Sequence, residues 1–252
     1  MKTRPLYIRS QYGDESIALV QWAFEAGLVA TVVYVDTGWA AAAWQTRIQQ
    51  GEQHAKACGF KTLQIVSPIS FADAVIGRGE FPSSKFQWCS ALLKGLPFVD
   101  WLETVDPAGH GIILIAKRAA AALAHADLSE WIEPCQFHGD RTVWHPMLAL
   151  SDSERDALLS RAGFTPLRHR SLECQPCVNS TVADMSKFND LSTVKAGNST
   201  EDEASHDADR KRLAALEEEL GARWEWRPEE SISEKYLDLF YRGCGNHFGC
   251  GL

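Results

Sequence analysis

Cys174-Gln175-Pro176-Cys177 sets two thiols on one tight turn, a spacing that lets both sulfurs grip a single metal centre. Cys89 opens a predicted helix. Cys244 and Cys250 stand in a tail that also carries Gly243, Gly245, Gly249 and Gly251. A tail so rich in glycine packs little by itself and makes sense wrapped around a bound centre. Thiolates suit zinc and iron–sulfur clusters alike, so ligand type leaves both open. With up to five thiols in three blocks, four could hold a centre and one would be left for chemistry. Cys58 and Cys135, the other two of the seven cysteines, read as packing residues.

The second chemical stretch is Ser10-Gln11-Tyr12-Gly13-Asp14-Glu15-Ser16. An extended segment, Pro5 to Arg9, leads into it, and an apolar-faced helix from Ile17 leads out. Unpaired backbone N–H groups and the helix dipole make such a junction a place to hold a phosphate. Gly13 is expected to supply the sharp turn, and Ser10 and Ser16 can donate hydroxyl hydrogen bonds. A plain capped turn is the competing reading.

Several elements must position these groups. Ala30 to Asp36 is an almost continuous apolar run, as in a strand covered on both faces, and it ends in Asp36-Thr37-Gly38-Trp39. A carboxylate at the carboxyl end of a buried strand lies where open α/β sheets bind ligands. A helix over 40–58 and a strand over 61–66 follow. Short helices are expected near Ser70–Ile76 and from Cys89 through Trp101. Gly111 to Ala116 reads as another buried strand, followed by Lys117-Arg118 at the carboxyl end of the sheet. Thr142 to Met147 reads as a strand, and Ser151-Asp152-Ser153-Glu154 opens a helix by a capping box. The stretch 196–209 is polar and acidic and is expected to be mobile, before an amphipathic helix over 209–221. Alternating strands and helices imply a doubly wound, mostly parallel sheet. The division is a nucleotide-binding part over 1–165 and a smaller, helical, cysteine-bearing part over 166–252.

The chain has 252 residues and a net charge of −8. That charge disfavours broad nucleic-acid binding, although Arg141, Arg168, His169, Arg170 and the Lys117-Arg118 pair form a candidate basic patch. No apolar run is long enough to cross a membrane, and Met1 to Pro5 lacks a signal-peptide core, so a cytoplasmic location is expected. Free thiols fit that compartment. His138 and His145 read as surface residues, and Trp39 and Trp88 as candidates for the core.

The first loop resembles the PP-loop of the adenine-nucleotide alpha hydrolase superfamily, in the form found in PAPS and APS (sulfonucleotide) reductases. Asp36-Thr37-Gly38-Trp39 resembles the Asp-Thr-Gly-aromatic motif of those proteins. Trp88-Cys89-Ser90 with Lys94 resembles their cysteine-bearing helix start. Cys174-x-x-Cys177 resembles the second cysteine pair of the iron–sulfur reductases, and Cys244-Gly245-Asn246-His247 their nucleophile-bearing tail. The resemblance implies a five-stranded, mostly parallel sheet. Ser10, Gln11, Tyr12, Gly13, Asp14, Glu15 and Ser16 would cradle phosphates, with Asp36, Thr37 and Gly38 near the adenosine, in the same crevice. Independently of the resemblance, Lys117 and Arg118 are candidates to touch an anion from their position at the carboxyl end of the sheet. Cys89, Cys174, Cys177 and Cys250 would hold a [4Fe–4S] cluster, zinc being the alternative, with Cys244 exchangeable for Cys250 as fourth ligand.

The implied activity is reduction of a sulfonucleotide by Cys244, helped by His247 and Lys94, with a thiol reductant such as thioredoxin as partner. Two other readings stay open. One is an ATP pyrophosphatase-type sulfurtransferase using ATP and Mg²⁺ to thiolate a nucleic acid or small molecule. The other is a non-catalytic nucleotide-binding sensor or subunit. The first loop departs from the Ser-Gly-Gly-x-Asp-Ser form of the ATP pyrophosphatases, since Gln11 and Tyr12 stand where glycines are common. The chain departs from the reductase pattern in three ways: Trp88 precedes Cys89 where a second cysteine is usual, Cys250 is extra, and alanines fill 40–43 and 119–122.

Overall fold

The computed structural model describes residues 4–84, 86–121, 127–167, 169–189 and 201–226. Alternating strands and helices run in the order β1 (Leu6–Arg9), α1 (Asp14–Glu25), β2 (Thr31–Asp36), α2 (Trp44–Ala57), β3 (Lys61–Val66) and α3 (Phe71–Arg78). Then follow α4 (Trp88–Ser90), a π turn (Ala91–Gly95), α5 (Leu96–Val105) and β4 (Ile112–Ile115). The described chain continues through β5 (Trp131–Cys135), β6 (Arg141–Trp144), α6 (Asp152–Arg161), α7 (Val182–Asn189) and α8 (Glu201–Leu220).

The six strands lie in the order β3-β2-β1-β4-β6-β5. Every pairing is parallel except β5 with β6. Neighbouring strand residues serve opposite faces. Ile8, Val32 and Leu114 pack with α1, α2 and α6, while Tyr7, Val33 and Ile113 pack with Phe98 and Leu102 of α5. Double coverage is why these strands read as unbroken apolar runs. A third cluster, with Trp39, Phe71, Val75, Trp88, Leu93 and Leu216, seats α3, the π turn and α8 beyond the sheet.

The doubly wound architecture is the expected one, with two differences in detail. The sheet has six strands rather than five, because Trp131-Ile132-Glu133-Pro134-Cys135 adds an antiparallel edge. Its Pro134 and mixed polarity hid it, and an edge position is where proline is tolerated. The acidic stretch expected to be mobile is helical from Glu201 onward. The capping box at α6 is present in both directions, with Ser151 Oγ accepting from Glu154 N and the Glu154 carboxylate accepting from Ser151 N. His138 and His145 are buried rather than on the surface, as are Trp39 and Trp88. Burial lowers the pKa of His145. No helix among the described residues is long and apolar enough to cross a membrane.

The sharp turn after β1 is made by Tyr12, not Gly13. Tyr12 has φ 57°, and Gly13 is extended at φ −73°, ψ 175°. The Tyr12 ring is fully buried against Gly51 of α2, where a Cβ would stand 2.2 Å from the ring. Gly51→Ala is expected to cost about 1–3 kcal/mol through overpacking and to lower the melting temperature by several degrees. Gly77→Ala, in α3 with open space around it, should be neutral or slightly stabilising. Thermal unfolding of the two variants side by side checks this, and equal melting temperatures would contradict it.

Candidate functional site

Strand order reverses between β1 and β4, since β2 and β3 lie on one side and β6 on the other. Ligands of doubly wound sheets bind outside the carboxyl ends of strands at such a switch point. A cavity of about 390 Å³ lies there. Its floor is Arg9 at the end of β1 and Ile115, Ala116 and Lys117 at the end of β4. One wall is the start of α1, with Gln11, Gly13, Asp14, Glu15 and Ser16. The other is an arm of chain after α6, with Leu167, His169, Arg170 and Ser171, together with Thr181, Ala183 and Asp184 at the start of α7. Arg155 of α6 completes it. Basic groups thus line the cavity from four separate segments, a composition suited to an anion.

The loop itself is tied down by its own serines. Ser10 N donates to Val33 O at 2.8 Å, and Tyr12 N donates to Ser10 Oγ at 3.1 Å. Gln11 N donates to Ser16 Oγ, which donates on to Gly13 O. These hydroxyls therefore serve the turn, and the amides of the first turn of α1 are the ones left for an anion. Gly13 lies close to the arm. A Cβ there would come within 3.2 Å of Ser171 Cβ, so glycine lets the arm close against the loop.

The two carboxylates at the helix start face protein groups. Asp14 accepts from Arg47 Nη2 and from Leu167 N, both at 2.8 Å. Burial raises its pKa, with the Leu167 amide and Arg47 opposing. Glu15 accepts two hydrogen bonds from Arg118, at 2.7 and 2.8 Å, and one from Arg155 at 2.9 Å. Arg118 is 1% exposed and also donates to Asp152 and to Leu150 O. Donating to the Glu15 carboxylate raises the Arg118 pKa above the usual arginine value. Arg118 is absent from the cavity lining, whereas Lys117 beside it lies on the cavity wall. Arg141 leaves the expected basic patch too, buried in bonds to Asp106 and Glu103 beneath β6.

Asp36 and Thr37 lead elsewhere. Asp36 Oδ1 accepts from Gly38 N at 2.9 Å, and Gly38 takes φ 69°, so this carboxylate shapes the turn after β2. Thr37 Oγ1 lies 3.7 Å from Cys174 Sγ. It belongs to a second, small pocket of about 20 Å³ lined by Cys89, Cys174, Cys177, Leu93, Lys94 and Trp224, among others. Of the Asp36–Gly38 turn, Thr37 lines this second pocket, and none of the three residues lines the larger cavity beside the first loop. Lys94, on the π turn, is buried and donates to Glu173 Oε1 at 2.7 Å.

Cys89 therefore faces the same pocket as the sequence-distant pair Cys174 and Cys177, the donor chemistry of a zinc or iron–sulfur centre. The pocket has room for about one water molecule. Among the described residues, no three His, Cys, Asp or Glu side chains are gathered closely enough to hold a metal ion. As placed, these thiols do not fit a [4Fe–4S] cluster. The five described cysteines are free of disulfides. Cys244, His247 and Cys250 lie outside the described residues.

Arg212 of α8 joins the thiol loop to the turn after β2. Its guanidinium stacks over the Trp39 ring at 4.1 Å and donates to Trp39 O, Ala40 O and Gln175 O. Asp209 accepts from it at 3.0 Å. Arg9, Arg155, Ser171, Glu173 and Arg212 were not singled out as site residues from the sequence. The basic ones sit at the end of a strand or on the face of a helix, where sequence alone gives no cue to a shared cavity. His169 and Arg170 were legible as a basic cluster.

No protein-family model matches the chain. It is 27% identical over 137 residues to the "Uncharacterized 37.8 kDa protein in gpa 5'region" of Escherichia phage 186, a match spanning 51% of this chain and 41% of that protein. Among solved structures, the NMN synthetase from Francisella tularensis superposes with a TM-score of 0.47 at 10% identity, covering 100% of this chain and 89% of that one. The NH3-dependent NAD synthetase from Campylobacter jejuni gives 0.42 at 12% identity, covering 100% and 90%.

Burial pushes the Asp209 carboxyl up to about 6, with Arg212 opposing. A carboxyl raised on folding contributes stability that is complete below its ordinary range and is lost as pH rises through about 6. Chemical denaturation between pH 4 and pH 7 should therefore show a fall in stability over that window, and Asp209→Asn should flatten it. An unchanged slope in the variant would place the titration elsewhere.

Proposed function

We propose that the chain is an adenine-nucleotide-dependent enzyme of sulfur metabolism, acting on a sulfonucleotide of the APS or PAPS type. The observation that carries this reading is the arm over 169–184. Its His169, Arg170 and Ser171 line the cation-rich cavity, its Cys174 and Cys177 line the thiol pocket, and its Thr181 and Asp184 return to the cavity. A nucleotide's anionic end and a set of thiols would thus share one wall.

The cavity favours one compact anionic group over a triphosphate. Serine hydroxyls already occupy the loop amides of Gln11 and Tyr12, and the carboxylates of Asp14, Glu15 and Asp184 share the lining. A bound phosphosulfate would meet the first-turn amides of α1 together with Arg9, Lys117, Arg155 and Arg170. Those cations would stabilise the charge that grows on the leaving phosphate.

In the proposed step a cysteine thiolate attacks the sulfur. A sulfur–sulfur bond forms as the sulfur–oxygen bond breaks, and the electron pair departs on the phosphate oxygen of AMP or 3′-phospho-AMP. The resulting cysteine thiosulfonate is attacked by one thiol of a dithiol reductant such as thioredoxin, releasing sulfite. The second thiol closes the reductant's disulfide and restores the cysteine. The family resemblance points to Cys244 as nucleophile, with His247 favouring its thiolate.

Single-turnover assays of anaerobic protein with APS, PAPS and ATP test this. The expected products are sulfite with AMP or 3′-phospho-AMP, and no AMP from ATP. Cys244→Ser should cut the rate roughly a thousandfold or more while leaving nucleotide binding intact. AMP formed from ATP would move the assignment to an ATP-dependent sulfurtransferase. No product from any of the three nucleotides would overturn the enzyme reading.

A further inference from the structure

We propose that Asp14 is a positioning residue whose carboxylate, together with Arg47, clamps the arm that carries His169, Arg170 and Ser171 against the cavity. Both carboxylate oxygens are committed: Oδ1 to Arg47 Nη2 and Oδ2 to the Leu167 amide, each at 2.8 Å. The Asp14 and Arg47 side chains are each 12% exposed. Arg47 is the hub. Its Nε donates to Tyr12 O at 3.1 Å, and its guanidinium lies over the Phe164 ring at 4.6 Å. One ion pair therefore fastens together the first loop, α2 and the chain leaving α6.

The clamp sits just before the cavity-lining part of the arm. Past Leu167 the arm closes on Gly13 through Ser171, and Leu172 O then accepts from Ala41 N at 2.9 Å. Loss of the Asp14 contact frees the arm where its first cation-bearing residues begin, while the Leu172 contact still holds its far end. Asp14 thus governs anion binding through the arm, although it stands in a loop whose sequence reads as a phosphate cradle. The proposal deepens the nucleotide reading and rests on it only for the affinity effect.

Protonation should loosen the clamp. Burial holds the Asp14 carboxyl above its ordinary range, and the charged groups facing it are Arg47, Arg155 and Glu15. A neutral Asp14 leaves Arg47 without its counter-charge and weakens the acceptor for the Leu167 amide.

Amide hydrogen exchange at Leu167 in the ligand-free protein is the direct readout. Asp14→Ala should speed it about tenfold or more, leave β1 and β4 protected, and weaken AMP binding in calorimetry by a similar factor. Arg47→Lys keeps the charge but loses the fork that spans Tyr12 O and Asp14, and should change both quantities in the same direction by less. It also decides the matter if Asp14→Ala does not fold. In the unaltered protein, exchange at Leu167 corrected for its intrinsic pH dependence should rise on acidification, and Asp14→Asn should remove that rise. Weaker AMP binding with unchanged exchange at Leu167 would make Asp14 a direct ligand group and overturn the clamp. If the unaltered protein does not bind AMP, the nucleotide reading fails, and the exchange measurements still decide the clamp.

Discussion

Everything around the cavity depends on one buried ring. Tyr12 takes a left-handed backbone conformation, which costs a non-glycine residue about 1–2 kcal/mol. It persists because the ring is wholly inside the protein, against the bare backbone of Gly51 and 5.9 Å from the Tyr34 ring. Burial of the ring acts against that strain. The consequence is local and specific. With Tyr12 turned inward, its carbonyl meets Arg47 and its amide meets Ser10, and the chain passes through an extended Gly13 directly into α1.

Charge is then distributed around that fixed turn in two tiers. Asp14 and Glu15, in the first turn of α1, complement the helix dipole and are also ion-paired, Asp14 with Arg47 and Glu15 with Arg118 and Arg155. Taking either carboxylate's partner away would leave a poorly solvated charge, which is costly. Arg47 thus holds the loop, Arg118 is shared between Glu15 of the loop and Asp152 and Leu150 O beside α6, and Arg155 holds Glu15 while also lining the cavity. Lys117, Arg9 and the basic residues of the arm form the second tier, along the cavity itself. The distinction matters for Lys117 and Arg118, adjacent in sequence, since only the first lines the cavity.

The fold was legible where burial leaves a pattern. The runs at Ala30–Asp36 and Gly111–Ala116 are apolar throughout because both faces are covered, and Ser151 with Glu154 announces α6 through a local pair of hydrogen bonds. Pattern failed at β5, an edge strand containing Pro134, and at the acidic start of α8, whose charges resemble a solvated tail. At the site, the residue types of the first loop read as an anion cradle, and the loop does line the cavity at the switch point of the sheet. The division of labour among the site residues was not legible, because it is set by partners far away in sequence: Asp14 by Leu167, Glu15 by Arg118 and Arg155, Thr37 by Cys174. The left-handed conformation of Tyr12 left no trace in the chain, since its cause is a glycine in the next helix.

The same long-range ties connect the two chambers through one stretch of chain. The arm beyond α6 is held at Asp14, then at Ala41 through Leu172 O, then at Trp39 through the Gln175 amide. Arg212 closes the last of these by donating to both Trp39 O and Gln175 O. Between the first tie and the second lie the cavity-lining His169, Arg170 and Ser171, and directly around the third lie Cys174 and Cys177. A displacement of the arm at Leu167 is therefore opposed by contacts next to the thiols. In the other direction, anything that reshapes the thiol pocket pulls on the segment that carries His169 and Arg170. Such coupling needs no wire of side chains across the sheet. It follows from one stretch of backbone being anchored at both ends while lining a chamber at each.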